Sequence, residues 1–277
     1  MAVTFKDQVK KDTDCVMIID ALNLAFRWKH QGRTDFRYDY VDTVKSLANS
    51  YKAGQVIITS DMGASSYRLG LSPEYKSGRR EKRETQTEEE AMAFEDFFEE
   101  FQATLEELGK IYPVLKFQGV EADDIAAHLV KERKKYGFGK VWLISSDRDW
   151  DLLISEDVNR WSYVTRKEIT HDNWFDHYSV TPEQYISLKC LQGDKGDSVE
   201  GIPQIGPARA LTLLNEYEDA FSIHDAIPLP GKYKYIQNLN NSGDTILLNY
   251  ELMDLLTYCD TAIGASNLAE IEERLIG

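Results

Sequence analysis

The stretch VWLISSD, at residues 141–147, is a short apolar run that leads into an aspartate. Two earlier stretches have the same form, VMIID at 16–20 and VIITSD at 56–61. Apolar runs of this length are typical of strands that are buried on both faces of a parallel sheet. Helical patterns lie between them, such as EADDIAAHLVKERKKYG at 121–137, which ends on a glycine. Strands that alternate with helices predict an α/β fold with a mostly parallel central sheet flanked by helices.

Each of the three predicted strands leads into an acid, Asp20, Asp61 or Asp147. Because ligands of open α/β sheets bind outside the carboxyl ends of the strands, we expect these carboxylates to share one edge. Further acids stand in an E-A-D-D group, a D-R-D pair and a D-K-G-D pair. Taken singly, most such residues are helix caps or surface charges. The full set of candidate metal ligands is Asp20, Asp61, Glu121, Asp123, Asp124, Asp147, Asp149, Asp194 and Asp197.

A cluster of carboxylates without cations would raise the pKa values of its members by mutual repulsion. Sites made only of oxygen suit hard ions such as Mg²⁺ or Mn²⁺, and two carboxylate-held cations are a common device for cleaving phosphodiesters. The cluster alone fits a nuclease, a phosphatase or a phosphotransferase. A calcium loop is excluded, because the D-x-D-x-D run that begins at Asp147 has Leu152 and Val158 where an EF-hand needs Gly and Glu. The five histidines lie in no recognisable motif, so catalysis by a Ser or Cys nucleophile lacks support.

A long excursion at about 64–112 separates the second and third of these strands. Six basic residues and two acids lie between Ser66 and Arg83, whereas ten acids and no Lys or Arg lie between Glu84 and Leu108. The second half has apolar residues at three- and four-residue steps, which predicts an amphipathic helix that packs on the core. The first half has Gly and Pro breaks, so we expect it to be mobile or arched over the surface. The alternative is that both charge runs are ordinary solvated helix surface.

The 277 residues allow one large domain or a domain with an appendage. A net charge of −15 argues against a nucleic-acid partner, but the uneven charge along the excursion weakens that objection. The three cysteines, Cys15, Cys190 and Cys259, match no disulfide or zinc spacing and favour a reducing compartment. The chain shows no signal peptide, and no apolar run reaches the roughly 20 residues of a membrane helix. We therefore expect a cytoplasmic protein without a membrane partner.

After about residue 180 the pattern changes to helices and short turns. The stretch GIPQIG, from Gly201 to Gly206, is followed by PARALTLL and fits a helix–hairpin–helix. Glycines let backbone N–H groups approach a phosphate, and the positive end of the following helix favours an anion there. Such a grip is independent of DNA sequence. The alternative is a glycine-rich turn between two packed helices, but the D-x-x-D pair just upstream favours a link between the grip and the acids.

Several motifs together resemble the flap endonuclease, or 5′ nuclease, family, which includes free-standing coliphage enzymes and a domain of bacterial DNA polymerase I. In chain order they are VMIIDALNLAF, ITSDMG, SPEYKSGRREK, GVEADDIA, LISSDRDWDLL, LKCLQGDKGDSVEGIPQIG and PLPGKYKYIQNL, across about residues 15–260. The resemblance implies a PIN-like 5′ nuclease fold, with an α/β core at 1–180 and a helical arch at about 64–112. A helix–hairpin–helix (helix–three-turn–helix) region at 181–277 would pack on that core.

The resemblance also implies a role for each candidate acid. A first metal site would use Asp20, Asp61, Glu121 and Asp123, with Asp124 close by, and a second would use Asp147, Asp149, Asp194 and Asp197. The expected cofactors are two divalent cations, Mg²⁺ with Mn²⁺ as a substitute, and a monovalent cation such as K⁺ at the hairpin. Lys76, Asp147 and Asp149 are the expected catalytic residues.

A second set of residues matches DNA-contact positions of the family. Lys76 would place positive charge on the developing phosphorane, and Tyr75 would stack on an unpaired base. Alternatively, Tyr75 packs under the arch, and the two lysines of the PLPGKYKY loop are ordinary loop charges. The full set is Tyr75, Lys76, Arg79, Arg80, Arg83, Arg166, Lys189, Gly201, Ile202, Ile205, Gly206, Arg209, Lys232 and Lys234.

The chain departs from the family pattern at two places. Asp20 is followed by Ala21, where relatives usually have glycine, and Pro207-Ala208 stands in the hairpin where relatives often have a lysine. Arg209 is then the nearby cation for the duplex grip.

The predicted activity is hydrolysis of DNA with a 5′ flap or a free 5′ single strand, as a 5′-3′ exonuclease and flap endonuclease in replication or repair. We expect a monomer, whose coupling to replication proteins would run through other chains. The enzymatic alternative is a PIN-like ribonuclease, which shares an acidic α/β site. The alternative without catalysis is a DNA-binding protein that recognises branched structures.

Overall fold

A computed structural model describes residues 12–276, which form a central six-stranded sheet and surrounding helices. The strand order is β3-β2-β1-β4-β5-β6, and only the β5–β6 pair is antiparallel. The prediction of a mostly parallel α/β sheet is therefore confirmed. The strands are β1 (Asp12–Asp20), β2 (Ala53–Thr59), β3 (Val114–Leu115), β4 (Lys140–Ile144), β5 (Val158–Ser162) and β6 (Lys167–Ile169).

Two hydrophobic layers cover the faces of this sheet. Successive strand residues point to opposite faces, so Val16 and Ile18 of β1 join one layer while Met17 and Ile19 join the other. Both faces are covered by helices, which explains why the strands are apolar throughout. The helices that precede β4 are α1 (Ala21–Lys29), α2 (Arg37–Ser50), α3 (Ser66–Leu71), α4 (Ser77–Glu84), α5 (Glu88–Gly109) and α6 (Ala122–Lys131).

The excursion between β2 and β3 contains three helices. Its second half is the amphipathic helix α5, which begins with a capping box between Thr87 and Glu90 and buries Phe97, Phe101 and Leu105. Its first half contains the short helices α3 and α4, which the sequence pattern did not predict because α4 has no buried residue. The charged, exposed helix α4 is therefore followed directly in the chain by α5, which has an apolar face.

Helix α6 is shorter than predicted. It ends at Lys131, and turns follow as far as Gly137, which has a left-handed φ of +74°. The run KERKK after Val130 offers no apolar side chain to pack, and packing of an apolar face supplies most helix stability in proteins.

The remaining chain is mostly helical. Helices α12 and α13 return to the sheet, where Leu255, Cys259, Ile263 and Ile271 join the same apolar layer as α6. No helix among residues 12–276 is long and apolar enough to cross a membrane. The elements are α7 (Pro182–Gln192), β7 (Gly193–Asp194), β8 (Val199–Glu200), α8 (Pro207–Tyr217), α9 (Ala220–Ala226), α10 (Lys234–Asn240), α11 (Gly243–Met253), α12 (Leu255–Ile263) and α13 (Ala265–Ile276).

Candidate active site

Three aspartates meet at the carboxyl edge of the sheet. Asp20 is the last residue of β1, and Asp61 and Asp147 follow the neighbouring strands β2 and β4. The hydroxyl of Ser145 donates a hydrogen bond to Asp20 (2.7 Å) and accepts one from the backbone N–H of Asp147 (3.0 Å). The backbone N–H of Ala122 donates to Asp61 Oδ1 (2.8 Å), which brings the start of α6 to the same edge.

Glu121, Asp123 and Asp124 form what we call the inner acid group. Glu121 caps the start of α6, and the other two lie in its first turn, where the helix dipole favours negative charge. One carboxylate oxygen from each of the three residues lies within 4.8 Å of the other two. The group can therefore present several oxygens to one cation.

Arg68 is a buried partner of the inner acid group that the sequence reasoning counted only as a basic residue of the arch. Its guanidinium donates to both oxygens of Asp124 (2.7 and 2.8 Å), to Glu121 (3.3 Å) and to the carbonyl of Leu252 (2.7 Å). Arg68 is 1% exposed and Asp124 is fully buried. Direct coordination of a metal ion by Asp124 would compete with these bonds, and its expected place among the ligands stays a prediction.

Lys76 and Tyr75 join the arch to the acids. The Nζ atom of Lys76 lies 2.7 Å from Glu121 Oε1 and 3.6 Å from Asp197 Oδ2. The hydroxyl of Tyr75 donates to Glu121 (3.0 Å) and lies 3.2 Å from Asp197. Because Tyr75 is 3% exposed, its ring is not available for stacking on a base. The structure favours the alternative, in which Tyr75 packs beneath the arch.

Asp147, Asp149, Asp194 and Asp197 form what we call the outer acid group. Lys189, expected to contact substrate, instead donates to Asp149 (2.7 Å) and Asp194 (3.0 Å), and its side chain is 11% exposed. Lys189 thus bridges two acids, and its expected contact with substrate stays a prediction. Arg79 pairs with Asp197 (2.6 Å) from the arch side.

Crowding of carboxylates shifts their ionisation. Burial and the charge of Asp61 raise the pKa of Asp20 well above its ordinary value. Desolvation and the charge of Asp149 raise the pKa of Asp147 to about 6. Glu121 and Asp194 are exceptions. Lys76 and Arg68 overcome the effect of burial and lower the pKa of Glu121, and Lys189 lowers the pKa of Asp194 in the same way. The site therefore holds more negative charge than its own cations balance.

The chemistry of the donor set fits divalent metal ions. The candidate ligands are all carboxylates, which hard ions such as Mg²⁺ and Mn²⁺ prefer. Bound cations would relieve the repulsion that raises these pKa values. Of the nine expected ligands, Asp124 alone has both oxygens bonded to a buried guanidinium in the part of the chain that the structure describes.

The predicted hairpin lies between β8 and α8. A Cβ atom at Gly201 would lie 2.0 Å from the carbonyl oxygen of Gln192, so no larger residue fits there. Ile202 and Ile205 are buried, and their N–H groups already donate within the protein. Both side chains join the apolar cluster of the helical region and so anchor the hairpin, while their expected DNA contact stays a prediction. Helix α8 begins after Gly206 with Pro207, which has no N–H, so Ala208 and Arg209 supply the N–H groups with which its first turn could hold a phosphate.

The loop before α10 lies against this hairpin. Asn238 donates to the carbonyl of Pro203 (2.9 Å), and the guanidinium of Arg209 lies 4.5 Å from the ring centre of Tyr235. Lys232 and Lys234 are exposed, in the loop before α10 and at its first residue. These contacts place α10 beside the hairpin and Arg209.

The other expected DNA-contact residues have different surroundings. Arg80 donates to the carbonyls of Tyr75 (2.8 Å) and Pro73 (2.6 Å), so it braces the arch. The guanidinium of Arg83 lies 5.4 Å from the ring centre of Phe94 on α5. Arg166 is exposed in the turn between β5 and β6.

Two family models divide the chain between them. One describes the 5′-3′ exonuclease N-terminal resolvase-like domain and matches residues 15–179. The other describes the 5′-3′ exonuclease C-terminal SAM fold and matches residues 180–274. The chain belongs to the 5′-3′ exonuclease family. The resemblance that the sequence motifs carried is confirmed, and this 5′ nuclease is a metal-dependent enzyme of the flap endonuclease type.

Individual relatives agree with the family models. The flap endonuclease of Escherichia phage T5 is 44% identical over 252 residues, which are 90% of this chain and 86% of that protein. DNA polymerase I of Bacillus subtilis is 27% identical over 241 residues, which are 85% of this chain and 26% of the polymerase. A crystal structure of the phage T5 flap endonuclease in a pseudo-enzyme–product complex with DNA and metal ions has a TM-score of 0.90 at 41% identity. It covers 95% of this chain and 98% of that one.

Proposed function

We propose that this 5′ nuclease binds DNA with a 5′ flap or a free 5′ single strand and cuts it near the junction with duplex. The observation that carries the proposal is the contact of the arch with both acid groups, through Lys76 between Glu121 and Asp197. A phosphate held at this point would face arch cations on one side and metal-binding oxygens on the other. Such a position suits phosphodiester hydrolysis.

We assign two Mg²⁺ ions, for which Mn²⁺ substitutes, to the two acid groups. Divalent ions bound there supply a water of lowered pKa and stabilise the leaving oxygen. Lys76 adds positive charge where the phosphorane develops. The proposed ligands of the first ion are Asp20, Asp61, Glu121 and Asp123, and those of the second are Asp147, Asp149, Asp194 and Asp197.

The duplex beyond the junction would rest on the hairpin. The N–H groups at the start of α8, together with Arg209, Lys232 and Lys234, present positive charge without reading bases. We further propose a K⁺ ion at this hairpin, a division of the chain at about residue 180 and an arch at about 64–112. We also propose a monomer that works with replication proteins in a bacterial cytoplasm, including that of a phage host.

Cleavage of a labelled 5′-flap duplex, with Mg²⁺ and with EDTA, tests the proposed function. We expect metal-dependent cutting near the junction and little cutting of a blunt duplex of the same sequence. A flap that stays intact in Mg²⁺ while it is tightly bound would favour a DNA-binding protein without catalysis. Cutting of single-stranded RNA in preference to the flap would favour a ribonuclease.

The salt dependence of binding gives a second readout that needs no catalysis. Because the expected contacts go to phosphates, affinity for the flap duplex in EDTA should fall steeply as salt rises. A complex that is insensitive to salt would contradict phosphate-based binding.

A further inference from the structure

Asp151 is the third acid of the D-x-D-x-D run, and it belongs to neither acid group. It lies in a short 3-10 helix (Arg148–Leu153), which Asp147 caps by accepting a hydrogen bond from the backbone N–H of Asp149 (3.0 Å). The side chain of Asp149 is 21% exposed, whereas Asp151 is 1% exposed. The short helix therefore presents two carboxylates to the site and a third to the interior of the protein.

Arg160 is the partner of Asp151 in the interior. It lies on β5 opposite Leu143 of β4, and it is 4% exposed. Its guanidinium donates to both oxygens of Asp151 (2.5 and 2.7 Å). Because a bidentate pair of this kind fixes direction as well as distance, the 3-10 helix is held in one orientation against β5.

The same guanidinium reaches the edge of the sheet through Ser145. It donates to the carbonyl oxygen of Ser145 (2.8 Å). The hydroxyl of Ser145 bonds to Asp20, a proposed ligand of the first ion, and to the backbone N–H of Asp147, a proposed ligand of the second. Arg160 is thus linked through a single residue to one ligand of each ion.

Tyr178 joins Asp151 to the helix α7. Its hydroxyl donates to Asp151 Oδ2, and its ring centre lies 4.5 Å from that of Tyr185 on α7. Tyr185 lies one turn before Lys189, which bridges two acids of the outer group. Asp151 therefore connects the 3-10 helix and α7, the two segments that this bridge joins at the surface.

Stability alone does not account for a buried pair of charges. Removing both charges from water opposes their attraction, and apolar residues of similar volume often stabilise a fold as well or better. An apolar pair cannot reproduce the geometry, however. The guanidinium of Arg160 serves three acceptor atoms on two segments at once, the two oxygens of Asp151 and the carbonyl of Ser145.

We propose that Asp151 and Arg160 are positioning residues, which fix the spacing of the two ion sites by holding the 3-10 helix against Ser145. This role rests on the proposed function, through its assignment of ligands to two ions. Residues that surround metal ligands orient them, and their loss lowers metal affinity or activity by about 10-fold to 100-fold. Neither residue of the pair is itself a ligand in this role.

The first test replaces the pair by apolar residues, Asp151→Leu with Arg160→Met, in the full chain. Binding of Mn²⁺ in the presence of product DNA is followed by loss of the free-ion electron paramagnetic resonance signal. We expect two ions on the wild type and about 10-fold weaker binding of the second ion by the variant. Its urea midpoint should lie above those of the two single variants, each of which leaves a buried charge unpaired.

An ion pair elsewhere in the fold supplies the matched control. Arg37 pairs with Glu100 (2.8 Å) between α2 and α5. Arg37→Met with Glu100→Leu should leave the affinities for both ions at the wild-type values.

Tyr178→Phe is a milder variant that keeps the buried pair intact. It removes only the hydroxyl bond to Asp151, so the affinity for the second ion should fall about 3-fold, at the lower end of what one hydrogen bond contributes. Tyr51→Phe is its control, because it also removes a hydroxyl bond to a carboxylate, that of Glu168 (2.8 Å). Tyr51 lies before the amino end of β2, away from the carboxyl edge, and its loss should not change ion binding.

Flap cleavage at a series of Mg²⁺ concentrations gives a second readout. The pair variant should need about 10-fold more Mg²⁺ for half-maximal turnover, while KM for the flap stays the same. Partial unfolding alone would lower turnover at every Mg²⁺ concentration without this shift.

Unchanged affinity for the second ion in the folded pair variant, or in Tyr178→Phe if the pair variant does not fold, would overturn the positioning role. A single ion on the wild type would overturn the ligand assignment and the positioning role together. If the wild type bound two ions but left flaps uncut, the proposed function would fail, and the ion affinities would still decide the role of the pair.

Discussion

The two acid groups at the edge of the sheet are held in place by different means. In the inner group Glu121 is 3% exposed, and Asp124 is fully buried against Arg68, which is itself bonded to the carbonyl of Leu252. In the outer group the side chains of Asp149 and Asp194 are 21% and 27% exposed. The inner group is therefore part of the folded core, whereas solvent reaches Asp149 and Asp194 of the outer group.

The difference in burial indicates that the inner group contributes mainly to stability and the outer group mainly to the chemistry. A buried carboxylate needs a buried cation whatever the enzyme does, because an unpaired charge in the core is strongly destabilising. A carboxylate that solvent reaches can be neutralised with little effect on the fold, so its charge serves the chemistry. We expect substitutions in the inner group to change stability and those in the outer group to change turnover.

The largest expected effect is on turnover, from Asp147→Asn combined with Asp149→Asn in the outer group. Cleavage of a flap should fall by about 1,000-fold or more, because loss of a bound ion removes several kcal/mol of transition-state stabilisation. The thermal midpoint should stay the same or rise, since Asn at 147 keeps the acceptor for the N–H of residue 149. Unchanged cleavage would contradict the assignment of the outer group.

Arg68→Met should have the next largest effect, on stability. It leaves Asp124 buried without its partner, so urea denaturation should show a loss of about 3–4 kcal/mol. The matched substitution in the outer group, Lys189→Met, should change stability by about 1 kcal/mol or less, because its partners are reached by solvent. Equal losses for the two variants would remove the distinction between the groups.

Lys76→Ala tests the residue that touches both groups. We expect turnover on a flap to fall about 100-fold, since removal of one donor from a developing charge has an effect of this size, while flap binding in EDTA falls much less. Lys52→Ala is the control, because Lys52 is exposed and has a similar left-handed φ, 54° against 55° for Lys76. Full turnover by Lys76→Ala would reject its catalytic role.

A smaller effect is expected from a carboxylate outside the site. Although burial opposes it, hydrogen bonds from Lys131 and His128 lower the pKa of Asp260, in contrast to the raised pKa of Asp20 in the site. A depressed pKa stabilises the fold above the ordinary value of about 3.9, and this stabilisation is lost as pH falls through the folded-state pKa.

Asp260→Asn should therefore lower the unfolding free energy at pH 7 by about 0.5–1 kcal/mol, a figure reduced for solvent screening. The difference from wild type should vanish in strong acid, as followed by urea denaturation at several pH values. A difference that persisted below pH 3 would show that the hydrogen-bond geometry, rather than the charge, is responsible.

The parts of the structure that depend on local sequence pattern could be predicted from the sequence. The apolar runs predicted the central strands, the aspartates after them predicted the acidic edge, and the step of apolar residues predicted α5. Helices α3 and α4 were missed, because short helices with few buried residues have no apolar periodicity to detect.

The contacts that could not be predicted join residues far apart in the chain. Arg68 and Asp124 are separated by 56 positions, and nothing in either neighbourhood marks the pairing. Lys189 and Tyr75 stand in motifs that imply substrate contact, yet both turn inward to carboxylates. Which cations face substrate and which balance the acids is decided by packing of the arch and α7 on the sheet.

The most direct test of two ion-binding groups is the number of Mn²⁺ ions bound per chain in the presence of product DNA, followed by loss of the free-ion electron paramagnetic resonance signal. We predict two ions for the wild type and one for the variant with Asn at both 147 and 149. Two ions on both proteins, or a single ion on the wild type, would contradict the account.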